Sequence, residues 1–61
     1  MTYAILYADG EPRAVYRFER PHQAASVAGW LRSQGRGDLL PANGRNAAAL
    51  ARERRIPVIC C

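Results

Sequence analysis

Hydrophobic and polar positions divide the 61-residue chain into five segments with regular periodicity. Thr2 to Ala8 is dense in aromatic and branched side chains and predicts a strand. Asp9-Gly10 tolerates the positive φ angles of a tight turn, and Pro12 interrupts the ladder just beyond it. Arg13 to Glu19 alternates and predicts a second strand, so the two form a hairpin. A loop of two or four residues fixes one parity. Met1, Tyr3, Ile5, Tyr7, Ala14, Tyr16 and Phe18 then share the expected core face. Thr2, Ala4, Leu6, Arg13, Val15, Arg17 and Glu19 take the expected solvent face. A three-residue loop would break this match.

Arg20-Pro21 opens a helix, because proline fits the first helical position. Ala24, Val27, Ala28 and Leu31 recur at helical spacing as a buried stripe, with Trp30 beside it. Gly29 costs the helix about 1 kcal/mol relative to alanine and is expected to let it lie close to the sheet. Gly35 and Gly37 end the helix. Asp38 to Ala42 reads as a loop whose Leu39 and Leu40 plug the core edge. Asn43 or Asn46 caps a second helix, which runs to about Arg55 with Ala47, Leu50 and Ala51 inward. Ile56 to Cys60 reads as a third strand.

The order ββααβ predicts a small α+β fold, a single domain over residues 1–61, with a three-stranded sheet and two helices packed on one face. The first strand is apolar on both faces and belongs in the centre. The preferred order is 3-1-2, with the third strand parallel to the first. The alternative sets it beside the second strand, antiparallel.

Composition adds limits. Hydrophobic residues make up 49% and charged residues 23%, ordinary for a globular chain. A domain this short buries only about 60% of the surface of its unfolded form. Its thin core offers little wall for a deep substrate cavity, which argues against an enzyme. The net charge is +4, from nine arginines and five acids with no lysine. Arginine codons are GC-rich, so genome composition accounts for the lysine-free bias. Arginine also suits bidentate contacts to carboxylate or phosphate, and the positive balance favours an acidic partner.

Cys60 and Cys61 are adjacent and cannot staple distant parts of a fold. Met1 to Ala8 is too short and lacks the basic start of a signal peptide. No apolar run approaches the roughly 20 residues of a membrane span. These features lead to the expectation of a cytoplasmic protein without membrane association.

Among candidate chemical groups, His22 sits in the first turn of a helix with only Glu19 near in sequence, a weak setting for a general base. Neighbouring strand residues such as Cys60 and Cys61 point to opposite faces and do not converge on a metal. The expectation is that Cys60 fills the core edge and Cys61 is exposed. Gly35-Arg36-Gly37 and Asn43-Gly44-Arg45-Asn46 match no phosphate loop and read as turns and caps. Tyr3, Tyr7 and Tyr16 share the expected core face, which removes them as a base-stacking platform. No metal and no cofactor is expected.

The strongest feature is the arginine cluster: Arg45, Arg52, Arg54 and Arg55 on the second helix, with Arg32 and Arg36 at the end of the first. Arg45, Arg52 and Arg55 follow one helical stripe away from Ala47, Leu50 and Ala51, with Glu53 on the same side softening the charge. The expected partner-binding residues are Arg45, Arg52 and Arg55, with Arg36 at the rim. A short chain with a charged patch and no catalytic constellation is similar in size and character, and in nothing finer, to the small inhibitors that phages make against bacterial defences, anti-CRISPR proteins among them. That resemblance implies a non-enzymatic inhibitor or adaptor docking its arginines on an acidic protein surface. The alternative is a small nucleic-acid binder using the same arginines on phosphates. An open sheet face also points to homodimer formation.

Overall fold

Asp9 and Gly10 both adopt positive φ, 55° and 76°, in the computed structural model, which describes residues 1–61. They turn β1 (Thr2–Ala8) into β2 (Glu11–Phe18) through the expected two-residue hairpin. The parity of side chains nevertheless differs from expectation. Tyr7 pairs with Pro12 but Leu6 pairs with Ala14, so Arg13 is an extra residue in a β-bulge. Such a residue shifts the register by one and exchanges the two faces from there on. Ala4 and Leu6 therefore lie with Ala14 and Tyr16, and Tyr3 and Ile5 with Val15 and Arg17.

The first helix, α1 (Pro21–Ser33), has Pro21 at its first position. Gln23 Oε1 accepts the Arg20 amide N–H at 3.0 Å, closing the N-terminal end. Gly35, with φ 68°, ends it, and the Arg36 N–H reaches back to the Leu31 carbonyl at 2.9 Å. Leu31 is buried, and Ala24, Val27 and Ala28 pack as the expected stripe. Gly29 is exposed, and a methyl group there would meet nothing within 4 Å, so it is not a close-approach glycine.

Asp38 to Ala42 is a strand, β3, and not a loop. It pairs antiparallel with β1, placing Leu39 opposite Leu6 and Leu40 opposite Ile5. Leu39 is buried while Leu40 is 49% exposed, so only one of the two plugs the core. The second helix, α2 (Gly44–Arg54), leads to β4 (Val58–Cys60). The sheet is thus four-stranded and mixed, in the order β3-β1-β2-β4. β4 lies beside β2, not beside β1 as in the preferred order; this is the neighbour of the alternative placement, but the pairing is parallel and not antiparallel.

The helices occupy opposite faces, not one. Leu31 of α1 joins Ala4, Leu6, Ala14, Phe18 and Leu39, whereas Ala47 of α2 joins Ile5 and Val15. The missed strand explains the difference. β1 is antiparallel to both β2 and β3, so β2-α1-β3 is a parallel crossover in one direction across the sheet. β3-α2-β4 is a parallel crossover in the opposite direction. Two crossovers of the same hand that run in opposite directions must pass over opposite faces, and parallel crossovers are nearly always right-handed. Consecutive burial of Ala4, Ile5 and Leu6, and of Ala14 and Val15, is the local sign of a sheet covered on both sides.

Candidate functional site

The outer face of α2 is built from its N-cap upward. Asn43 is extended, with φ −84° and ψ 158°, and its Oδ1 accepts the Asn46 N–H at 2.7 Å. Gly44 follows against the Tyr3 ring, where a Cβ would stand 2.9 Å from the nearest ring carbon. Ala47 is fully buried and Leu50 and Ala51 are half-buried, which orients the helix on Ile5 and Val15. At 100° per residue, Arg45, Ala48, Ala49 and Arg52 fall on the opposite side, and all four are exposed. The two arginines are seven positions apart, about 10 Å along the axis. Between them lie only methyl groups.

One carboxylate, Glu53, is exposed on this side of α2 beside Arg52, and it forms no ion pair with the arginines. The ion pairs in the molecule join Arg13 to Asp9 and Glu11, at 3.8 and 3.9 Å, and Arg32 to Asp38, at 3.3 Å. Arg45, Arg52, Arg54 and Arg55 take part in none. Arg45 stands in the first turn of α2, which holds no acidic residue. A cation there opposes the positive end of the helix dipole and typically costs a few tenths of a kcal/mol to about 1 kcal/mol. Arg52 and Arg54 lie in the last turn, where the dipole favours them. Arg55 is just beyond the helix in the left-handed region, φ 55° and ψ 41°, and the Ile56 N–H bonds to the Ala51 carbonyl at 3.2 Å.

Arg36 does not join this surface. Its guanidinium lies over the Trp30 ring, 5.6 Å from the centroid, which holds it to α1 on the other side of the sheet. Trp30 is 54% exposed, so the pair forms a separate aromatic and cationic feature. The sequence placed Trp30 beside the buried stripe, and the signal for its exposure is its position on the flank of that stripe.

The remaining candidates are dispersed. His22 is exposed. Cys60 and Cys61 are both exposed, so Cys60 does not fill the core edge. No three His, Cys, Asp or Glu side chains converge on one point. The tyrosines divide between faces: Tyr3 and Tyr7 pack under α2, while Tyr16 stacks on Phe18 with centroids 6.0 Å apart. An apolar hollow of about 300 Å³ lies between α1 and the sheet edge, walled by Ala4, Ala24, Ala28, Leu39 and Pro41, with no charged group in its lining. No helix is long and apolar enough to cross a membrane. No protein-family model, curated protein or solved structure matches this chain, so its surface chemistry alone carries the functional reading.

Proposed function

We propose that this chain is a non-catalytic binding protein whose α2 outer face docks on an acidic protein surface. The observation that carries the reading is the exposed stripe Arg45, Ala48, Ala49 and Arg52, whose arginines form no ion pair within the molecule and outnumber the one acid of the helix, Glu53. Alanines between the arginines allow a flat partner surface to approach the helix closely, while the guanidinium groups reach carboxylates bidentately. Arg55 extends the charge beyond the helix end. Arg45 also costs α2 stability where it stands, so its place is better explained by a partner than by folding.

A small inhibitor or adaptor of the kind phages make fits this description, as a stoichiometric binder that needs no cavity. The methyl-lined stripe favours a protein over nucleic acid, because phosphate binding gains nothing from apolar contact. The test compares wild type with the variant Arg45→Glu, Arg52→Glu, Arg55→Glu as bait in host lysate, with and without nuclease. A protein captured by wild type after nuclease treatment, and lost by the folded triple variant, is the expected result. Binding that disappears with nuclease, and falls with salt at a log–log slope of about −0.9 per neutralised phosphate on duplex DNA, would establish the nucleic-acid alternative.

A further inference from the structure

The two edges of the sheet are treated differently. β3 carries Pro41, which lacks an N–H, and the charged Asp38, and α1 packs against it. These are features that discourage a further strand. β4 has neither charge nor proline within it. Its bonds to β2 run from Val15 N–H to the Pro57 carbonyl, 2.9 Å, and from Cys61 N–H to the Arg17 carbonyl, 3.0 Å. In a parallel ladder alternate residues bond to the same neighbour. Residues 57, 59 and 61 therefore face β2, and the N–H and C=O groups of Val58 and Cys60 face outward.

The side chains agree with an uncovered edge. Val58 is 51% exposed and Ile59 37% exposed. Val58 pairs with Val15 and so lies on the α2 side; Ile59 pairs with Tyr16 and lies on the α1 side. Because α1 leans toward β3 and β1, the β2–β4 half of its face is left open near Ile59. Charge then selects the occupant. The chain carries +4, yet Ile56 to Cys61 holds no charged residue. A second copy, repelled by arginines elsewhere, meets none on this strand itself, the nearest being Arg17 on β2 beside Cys60, and an acidic partner finds no cation on the strand to pair with.

We infer that β4 pairs antiparallel with β4 of a second copy about a two-fold axis at Ile59, joining two four-stranded sheets into one. The register follows from the outward groups. Setting Val58 opposite Cys60 of the second copy, and Cys60 opposite its Val58, satisfies all four groups on each strand. Pairing Cys60 with itself leaves the Val58 groups without a β4 partner. In the chosen register Ile59 meets Ile59 of the second copy as a non-hydrogen-bonded pair, the closer of the two antiparallel spacings. This surface is distinct from the arginine stripe of α2, so loss of one does not imply loss of the other.

Wild-type protein tests the pairing through amide hydrogen exchange and sedimentation across a concentration series. The expected result is a shift from monomer to dimer, in which the Val58 and Cys60 amides slow by about tenfold or more while Ile59 and Cys61, already bonded to β2, change little. Only monomer at millimolar concentration overturns the inference, and so does a dimer in which these two amides stay unprotected. Cross-linking checks the register in a Cys60→Ser, Cys61→Ser background. With oxidised glutathione as the two-electron acceptor, Ile59→Cys should form an intermolecular disulfide. Val58→Cys should not, because its two copies lie two positions out of register, beyond the roughly 7 Å Cα limit for a bridge. Equal cross-linking of the two variants overturns the register.

Discussion

The bare α-carbon of Gly37 faces the backbone of Tyr7: a Cβ there would collide with the Tyr7 carbonyl oxygen and lie 3.3 Å from the Ala8 side chain. Gly37 also holds φ 130°, a conformation that side chains rarely adopt. The two constraints coincide where the chain leaves α1 and enters β3. Gly37→Ala should therefore cost about 2–4 kcal/mol, read from urea or thermal unfolding. A loss under about 0.5 kcal/mol would show that the loop relaxes freely and does not fix the start of β3.

Gly29 presents the opposite case. It lies mid-helix with open space around its α-carbon. Gly29→Ala should raise stability by about 1 kcal/mol, which for a domain of this size moves Tm upward by roughly 4–8 °C. An unchanged or lower Tm would mean that the exposed flank of α1 has a demand for glycine that its packing does not reveal.

The hairpin turn depends on positive φ at both Asp9 and Gly10. Proline fixes φ near −65° and valine avoids the left-handed region. Asp9→Pro with Gly10→Val should thus cost at least about 3 kcal/mol, a large part of the stability of a small domain. Circular dichroism should show loss of the cooperative transition. Native-like melting would refute the role of this turn in setting the β1–β2 ladder.

Arg45 gives a test in which stability and binding move in opposite directions. Arg45→Glu places a favourable charge in the first turn of α2 and should stabilise the fold by about 0.3–1 kcal/mol at low salt. Partner affinity should fall, since an attractive contact becomes repulsive. Arg52→Glu should weaken binding too, but with a small stability loss at the other end of the dipole. If both variants bind as wild type does, the stripe is only a solvated helix face.

Much of the local structure is legible in the sequence. Asp9-Gly10, Pro21 and Asn43 mark their turn and helix starts by mechanisms that the structure bears out. The alanine-rich stripe of α1 is in place. What was hidden is non-local. The segment Asp38–Ala42 is short, follows two glycines and includes Pro41, so its pairing with β1 overrides a weak local preference. Missing it removes one crossover and with it the reason for the helices to part. The bulge at Arg13 is equally silent, because an inserted residue leaves the alternation after it intact and changes only the face on which it falls. The α2 arginines needed less: their exposure follows from spacing alone, whereas the separation of Arg36 depended on the topology.

A helix on each side of β1 and β2 changes how the chain can drift in evolution. A sheet covered on one side leaves every second position of its strands free to vary, so tolerance to substitution alternates along them. Here Ala4, Ile5 and Leu6 are buried in succession, and Ala14 and Val15 likewise. The hairpin should accept few changes at either parity, while β3 and β4, at the sheet margins, carry most of the strand variation. In a saturation mutagenesis map, tolerance would follow a strand's rank in the sheet more closely than the direction its side chains point. Sequence identity among descendants would then persist longest in the first eighteen residues.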